Sequence, residues 1–541
     1  MLSSQVSPRP HRRRVLGLIG VLGVLAAAVG TASTTAPAPA APALHWGPCA
    51  PIHGASDETR CATLRVPRDY ADPTGPTISI TVSKLAARDP AHKRGVLIGN
   101  PGGPGGDAIG MFNASALPQA IRDEWDLVAV QPRGLIDSTP VHCATEIPIV
   151  DVLLAGRANR DRCERKSPGY TRTITTENTA RDIEQVRRAL GVRKVSLYGI
   201  SYGTLLVATY ATLFPQHTDR LILDSAVNPD WIWNDVFAEQ TAGYKARVIA
   251  LMTWISQHDA VYHLGSTPLA VYQKWSAQVA KEAGVPPSLA PPPARVADVP
   301  PVLKAFARQY LTAVNVTADA RTQLANLVAS ILISDGSQAN SRLLSLTREA
   351  APDRNSWPYI ALLTTGRYRA VKPDKDTQAV LGNLQDLQAV ILCNENQAPT
   401  RPELIPAALY ANFLTGDIFA TPGLYYQSGL GCAGTAPVTR LIPIANKGLA
   451  VQPLQIDSVG DPQTPYRGAL ATHRAMRSHL ITVGGGDHGQ LGRSNKPLDD
   501  AIVAYLRTGH TGVTRVPQAP ITTPLIPKVS GARSGGSGAI W

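Results

Sequence analysis

Short runs of apolar residues recur along the chain, and most are followed by a turn or a helical pattern. Residues 77–82, TISITV, alternate polar and apolar positions, as a half-buried strand does. Further runs suited to buried strands lie at residues 96–98, 127–130, 195–198, 221–223, 454–456 and 480–483. Strands that alternate with helices predict a mostly parallel sheet flanked by helices, the α/β class.

Two helices are predicted between these strands. Ile183, Val186 and Leu190 recur at helical spacing, and Gly191 ends that pattern. Residues 204–214 are dense in small and apolar side chains and predict the second helix.

The alternation of strands and helices breaks between about residues 231 and 389. Long amphipathic stretches fill this segment, which holds five of the eight tryptophans and a proline-rich loop at 285–301. The strand pattern resumes near Pro453. One α/β domain with an inserted helical cap explains this order, whereas two or three separate domains would have to explain why the motifs below lie on both sides of the insertion. The predicted parts are a signal peptide and leader at 1–43, a first core part at 44–230, the cap at 231–389, a second core part at 390–510 and a tail at 511–541.

The first residues have the pattern of an export signal. Arg12, Arg13 and Arg14 precede residues 15–29, which carry no charge, and small and Ala/Pro-rich residues follow. The apolar stretch is short for a membrane span, so we predict a secreted protein with no stable membrane insertion after cleavage. An uncleaved anchor is the alternative. The arginines are also similar to a twin-arginine signal, but ordinary secretory signals carry such clusters too.

Composition and the distribution of charge argue against two classes of protein. Hydrophobic residues make up 44% of the 541 residues and charged residues 17%, which excludes a disordered chain. The net charge of +12 raises nucleic-acid binding as a hypothesis. The basic residues are scattered singly outside the arginine cluster, so we predict no nucleic-acid partner.

The six cysteines predict disulfides, because an exported chain meets oxidising conditions. Fifteen pairings are possible, and the simplest joins sequence neighbours. These neighbours are Cys49 with Cys61, Cys143 with Cys163, and Cys393 with Cys432. The sequence has no C-x-x-C and no H-E-x-x-H motif, so we predict no metal site and no cofactor.

Residues 199–203, GISYG, form a G-x-S-x-G motif between the apolar run VSLY and the apolar helix TLLVATYATLF. A strand before this motif and a helix after it are the context of a nucleophile elbow, in which a strained turn exposes the serine. We therefore predict Ser201 as a nucleophile.

A serine nucleophile needs a base, and a carboxylate that orients the base, in the chain order Ser, acid, His. His488 lies in the glycine-rich loop GGGDHGQL after the strand LITV, so it is the predicted base. Asp461 follows the strand-like LQIDSVG and is the predicted acid, with Asp457 and Asp224 as rivals.

The other histidines after the insertion are less suited to this role. His473 and His479 lie on or next to a helical stretch, where a solvated side chain is expected, and His510 lies near the C-terminus.

Acyl transfer also needs donors for the developing oxyanion. The backbone N–H of Tyr202 is one candidate, and the loop PGGPGG at 101–106, after the strand VLIG, is placed to supply a second. A phosphate-binding loop is excluded because no Lys-Ser or Lys-Thr follows. A purely structural turn is the other alternative.

Together, PGGPGG, GISYG, GDPQTP at 460–465 and GGGDHG resemble the secreted tripeptidyl aminopeptidases of the α/β-hydrolase fold, which are relatives of prolyl iminopeptidases. The resemblance runs from about Leu44 to Leu506. It implies an α/β-hydrolase fold with a helical cap and a triad of Ser201, Asp461 and His488. It also implies that Gly102 and Gly103 form the oxyanion loop.

Two stretches depart from the pattern of that family. Where the family runs Asp-x-Arg-Gly-x-Gly-x-Ser, residues 131–138 read QPRGLIDS, so Gln131 replaces the Asp and Ile136 the second Gly. Asp107 stands where the family has a Ser. Both departures border the expected active-site mouth and therefore bear more on the substrate than on the mechanism.

The resemblance favours an exported serine aminopeptidase that releases short N-terminal peptides. Such an enzyme binds a free ammonium group, and Glu395 is the candidate carboxylate, with a surface Glu beside a disulfide as its alternative. A secreted esterase or lipase with the same triad is the rival enzyme, and a binding protein on an inactive hydrolase scaffold is the rival from another class. The predicted partner is a peptide or a small-molecule substrate.

Overall fold

The computed structural model describes residues 43–112, 117–143, 155–333, 335–370 and 374–527. The predicted signal peptide and leader lie outside these residues, apart from Ala43. None of the helices in these ranges is both long enough and apolar enough to cross a membrane.

Ten strands of the described ranges form one sheet in the order β1-β2-β3-β5-β4-β6-β7-β8-β9-β10. The pairs β1–β2, β2–β3 and β3–β5 are antiparallel, and every pair from β5–β4 to β9–β10 is parallel. The strands are β1 Gly47–Pro48, β2 Arg60–Pro67, β3 Thr77–Leu85, β4 Gly95–Asn100, β5 Trp125–Val130, β6 Val195–Ile200, β7 Thr218–Asp224, β8 Leu454–Ser458, β9 His479–Gly484 and β10 Arg515–Pro517.

The mostly parallel sheet confirms the predicted α/β class, and all seven apolar runs lie inside strands β3 to β9. Three strands were not predicted: β1, β2 and β10. In β2 the side chains of Ala62, Leu64 and Val66 alternate into the core, so its pattern was readable in the sequence. By contrast, β10 has three residues and only Val516 is buried.

Helices flank the sheet and build the insertion. They are α1 Gln119–Glu124, α2 Ala155–Lys166, α3 Thr176–Ala189, α4 Tyr202–Leu213, α5 Asn234–Gln257, α6 Asp259–Tyr262, α7 Pro268–Ala283, α8 Ala307–Leu332, α9 Arg342–Ala350, α10 Trp357–Thr364, α11 Lys375–Glu395, α12 Ile405–Leu409, α13 Thr421–Gln427, α14 Tyr466–Met476 and α15 Lys496–Thr508. The two predicted helices correspond to α3 and α4. Helix α3 begins at Thr176, because the Thr175 side chain caps it by accepting the N–H of Asn178 at 3.2 Å.

Helices α5 to α13 lie between β7 and β8, from Asn234 to Gln427, whereas the insertion was predicted at 231–389. A hydrophobic cluster centred on Leu251, Trp275 and Trp357 gives this cap its own core. The predicted second core part at 390–510 differs from the structure, since helices continue to Gln427 and strands resume only at Leu454. The predicted tail at 511–541 also differs, because it contains β10.

The three predicted disulfides are formed: Cys49–Cys61, Cys143–Cys163 and Cys393–Cys432. The first joins β2 to the segment after β1, and the third joins α11 to the segment after α13. These two disulfides therefore link one segment to the sheet, through β2, and another to the cap, through α11.

Candidate active site

Ser201 stands in a sharp turn between β6 and α4. Its φ of 58° lies in the left-handed region, which is strained for a residue with a side chain. A Cβ at Gly199 would overlap the carbonyl oxygen of Gly203, and a Cβ at Gly203 would lie 2.5 Å from the carbonyl oxygen of Asn100. Only glycine fits at both places, so the motif produces the elbow geometry through backbone contact.

Asp461 and His488 are hydrogen-bonded to each other in the loops after β8 and β9. His488 Nδ1 lies 2.8 Å from Asp461 Oδ2, and both side chains are buried. The other oxygen of Asp461 accepts the N–H groups of Gln463 at 2.8 Å and Thr464 at 3.1 Å. The carboxylate is thus fixed, and it holds the imidazole with Nε2 left for another partner.

The buried Nε2 of His488 has no hydrogen-bond partner among the described residues. A bond from Ser201 Oγ to this nitrogen is also absent from the described contacts. The serine turn and the histidine loop nevertheless both bond to the end of β7. The N–H of Ser201 donates to the carbonyl of Asp224 at 3.0 Å, and the N–H of Gly489 donates to Ser225 Oγ at 2.9 Å. Such pairs are often loose without substrate and tighten in the reacting complex.

The rival acids, Asp224 and Asp457, contact other groups. The Asp224 carboxylate accepts the backbone N–H groups of Gln490 at 2.8 Å and Leu491 at 3.1 Å, and burial raises its pKa. Asp457 accepts the N–H of Ala226 at 2.7 Å, and burial raises its pKa to about 7. Neither carboxylate has a described hydrogen bond to the His488 ring, so the geometry favours Asp461.

The loop PGGPGG packs directly on the elbow. A Cβ at Gly102 would lie 3.0 Å from the Cβ of Ser201 and 3.1 Å from the backbone nitrogen of Tyr202. The N–H of Gly102 already donates to Asn100 Oδ1 at 3.0 Å, whereas that of Gly103 has no acceptor within the described ranges. The N–H of Tyr202, the first residue of α4, has no acceptor within its helix. Gly103 is therefore better placed than Gly102 to donate to an oxyanion.

Glu395 lies at the end of α11 and is buried. Its carboxylate accepts the backbone N–H of Thr176 and, at 2.8 Å, the hydroxyl of the same residue. The Thr176 hydroxyl is in turn 2.7 Å from the hydroxyl of Tyr202. Burial raises the pKa of Glu395 to about 7. The carboxylate thus caps the N-terminus of α3 behind the elbow, an arrangement that differs from the predicted contact with a substrate amine.

The two departures from the family pattern meet at His53, which the sequence did not single out. His53 Nδ1 lies 2.5 Å from Asp107 Oδ2, and His53 Nε2 contacts Asp137. Gln131 bridges the same two loops by accepting the N–H of Ala108 at 2.9 Å and donating to a carbonyl of the other loop. A buried histidine therefore joins the loops after β4 and β5.

Thr464 is a second residue that the sequence did not single out. Its hydroxyl lies 3.1 Å from Asp461 Oδ2 and 3.4 Å from His488 Nδ1. The motif GDPQTP contained it, but spacing alone could not show that the hydroxyl turns back on the acid. The Thr464 hydroxyl thus contacts the Asp461 oxygen that faces His488, while the backbone N–H groups contact the other oxygen.

Two families match separate parts of the chain. The family described as "alpha/beta hydrolase fold" matches residues 95–248, which include Ser201, and the family described as "TAP-like protein" matches residues 421–516, which include Asp461 and His488. The residues between the two matches are mostly those of the cap.

Three relatives resemble nearly the whole chain. The tripeptidyl aminopeptidase of Streptomyces lividans is 30% identical over 525 residues, covering 89% of this chain and 87% of that protein. The serine protease Hip1 of Mycobacterium tuberculosis is 25% identical, with 86% and 89% covered. Carboxylesterase B of the same species is 27% identical, with 88% and 90% covered. The chain belongs to the tripeptidyl aminopeptidase family of α/β-hydrolases.

Proposed function

We propose that the protein is an exported serine aminopeptidase that releases short peptides, of the tripeptidyl type, from substrates with a free N-terminus. The observation that carries the proposal is the buried His488, whose Nδ1 is held by Asp461 while Nε2 has no partner in the described part of the chain. The nearby elbow presents Ser201 as the residue to be activated.

Ser201 Oγ attacks the scissile carbonyl carbon while His488 Nε2 takes the hydroxyl proton. The tetrahedral intermediate collapses, and the same proton passes to the leaving amine. A water molecule then repeats the sequence on the acyl-enzyme and regenerates Ser201. Throughout, Asp461 keeps the proton on Nδ1 and stabilises the imidazolium that forms at each step.

The negative oxygen of each intermediate needs donors that are already in place. The N–H groups of Gly103 and Tyr202 take this role, since Gly102 donates to Asn100 instead. The left-handed φ of Gly103, +112°, turns its peptide in a way that a residue with a side chain would resist. The mechanism uses no metal and no cofactor.

Export and peptide specificity have different support. Export is supported by three disulfides and by the apolar stretch after the N-terminal arginines. Peptide cleavage is supported by the similarity to a tripeptidyl aminopeptidase and a serine protease. The Glu395 carboxylate already bonds to Thr176, so a residue other than Glu395 would bind the ammonium group of the substrate.

Ester hydrolysis is the second candidate, because carboxylesterase B is a relative at 27% identity and the same triad cleaves esters. The deciding experiment offers the mature protein and its Ser201→Ala variant to three matched panels: free-amine peptides, N-acetylated peptides and short acyl esters. The proposal predicts tripeptide release from the free-amine panel only, and none by the variant. Turnover restricted to esters would support the alternative, and equal turnover of acetylated peptides would contradict recognition of the amine.

A further inference from the structure

The loop that carries His488 is bonded to the cap as well as to the sheet. The backbone N–H of His488 donates to the carbonyl of Pro352 at 2.9 Å. Its neighbour Asp487 accepts the Nε–H of Arg354 at 2.9 Å and the guanidinium of Arg247 at 3.1 Å. All three charged side chains are buried, so solvent screens these contacts little.

Arg493 makes the same connection on the other side of His488. Its guanidinium donates to the carbonyl of His488 at 2.7 Å and also to the carbonyl of Gly489. The charge is balanced by Asp353 of the cap, at 2.6 Å. The cap segment 352–354 therefore bonds to the histidine loop both before and after the imidazole.

Helix α5 of the cap reaches both predicted catalytic loops with one face. Gln240 donates to the carbonyl of Gln463 at 2.8 Å, and Tyr244 accepts from the side chain of Gln463 at 3.0 Å. Arg247 reaches Asp487 in the base loop. These three α5 residues are spaced i, i+4 and i+7, which places them on one side of a helix.

The backbone at the start of the histidine loop is rich in glycine. Residues 484–486 are three consecutive glycines, whose backbone is the most permissive. A Cβ at Gly486 would lie 2.7 Å from the guanidinium of Arg247, so that glycine leaves room for the arginine from the cap. Glycine at this position therefore allows the cap to contact the backbone of the histidine loop.

We propose that Arg354 and Arg493 are positioning residues, through which the cap fixes His488 for proton transfer. The cap then acts on the chemical step itself. The inference rests on the proposed function, because it concerns the base of that reaction. A displacement of about 1 Å in a reacting group can cost ~100-fold in rate, so loosening this loop should lower kcat more than it raises KM.

The test compares two single arginine losses from buried ion pairs. Arg354→Met removes an arginine beside Asp487, and Arg187→Met removes one beside the buried Glu184 of α3, 2.8 Å away. For each variant, kcat, KM, melting temperature and the rate of Ser201 labelling by a fluorophosphonate are measured. We expect Arg354→Met to lose ~10–100-fold in kcat and in labelling rate with KM within ~3-fold, and Arg354→Lys to regain part of both. Arg187→Met should lose melting temperature but keep kcat.

Two results would overturn the inference: unchanged kcat in Arg354→Met, or an equal loss of kcat in Arg187→Met. Should Arg354→Met fail to fold, Asp353→Asn removes the negative charge that pairs with Arg493 and should lower kcat ~3–10-fold. Unchanged kcat in that variant would count equally against the inference. Failure of the proposed function is a different outcome, since the unmodified protein would then release no tripeptide from free-amine peptides, while the labelling rates of the variants would still test the inference.

Discussion

Asp224 binds the backbone of Gln490 through its carboxylate, at 2.8 Å, two residues after His488. The carbonyl of the same aspartate accepts the N–H of Ser201 at 3.0 Å. One residue at the end of β7 therefore touches both the nucleophile turn and the base loop. Strand β7 contributes no member of the predicted triad. Through Asp224, however, it holds the turn of Ser201 and the loop of His488 next to each other.

Asp224→Asn should weaken this link while keeping the shape of the side chain. Both N–H groups of the base loop bond to the same carboxylate oxygen, Oδ2, and in asparagine that position holds either an uncharged oxygen or an NH2 group that cannot accept. Loss of a hydrogen bond to a charged group costs about 1.5–3 kcal/mol, so we expect a lower melting temperature and a ~10-fold fall in kcat. Calorimetry and steady-state kinetics on the same preparation check both; unchanged values of both would contradict the role given to Asp224.

Asp461→Asn should reduce kcat by ~10³–10⁴-fold, because the amide favours the wrong imidazole tautomer. The matched control is Asp457→Asn, four residues earlier, which alters a carboxyl group that is bonded to Ala226 instead of His488. We expect that control to stay within ~10-fold of wild type. The reverse ranking in peptide or ester turnover would make Asp457 the acid.

Gly102→Ala should abolish most activity by displacing the predicted oxyanion loop. Its Cβ would press on the elbow at Ser201 and Tyr202, and its φ of +95° is unfavourable for alanine. Gly448→Ala is the control, since Gly448 has a similar φ of +87° but open space around the added Cβ. Both variants carry about 1–3 kcal/mol of backbone strain, but only Gly102→Ala should lose ~100-fold or more in kcat. Equal kcat values in the two variants would argue against an oxyanion role for the loop.

His53 predicts a pH-dependent contribution to stability. Burial lowers its pKa, but Asp107 and Asp137 raise it, and the net pKa lies above the ordinary value of 6.5. A raised pKa in the folded state means that this stabilisation is fully present below pH 6.5 and is lost as the pH rises through the folded-state pKa. The groups that face the ring are these two aspartates, on the loops after β4 and β5.

His53→Gln should therefore lower the melting temperature more at pH 5.5 than at pH 8.5, two conditions chosen to lie on either side of the ordinary histidine pKa. The exposed His92, replaced in the same way, is the control and should change neither value. Melting curves of the three proteins at both pH values give the comparison. An equal loss for His53→Gln at both pH values would show that the ring contributes through packing alone.

The strands and the elbow were predictable because their signals are local. An apolar run such as 195–198 can be read without knowing its neighbours in the sheet, and GISYG fixes its own turn through two glycines. The cysteine pairs were predictable for a similar reason, since each pair is separated by only 12 to 39 residues.

Contacts between distant residues were not predictable from the pattern. His53 is 54 residues from Asp107 and 84 from Asp137, and nothing in their surroundings shows that the loops meet. Glu395 lies in the polar stretch CNEN, which looks exposed, yet it is buried where the end of α11 meets Thr176 at the start of α3. The contacts between the cap and the His488 loop depend on how the inserted helices pack on the core. The amphipathic pattern shows that these residues form helices but not where the helices pack.

The most direct test of the predicted triad is mass spectrometry of the mature protein after reaction with a fluorophosphonate. We predict one phosphonyl adduct per chain on the peptide that contains Ser201, with no adduct in Ser201→Ala and slow labelling in His488→Ala. A stable, folded protein that takes up no adduct, or takes it up on another residue, would contradict the assignment of Ser201 as the nucleophile.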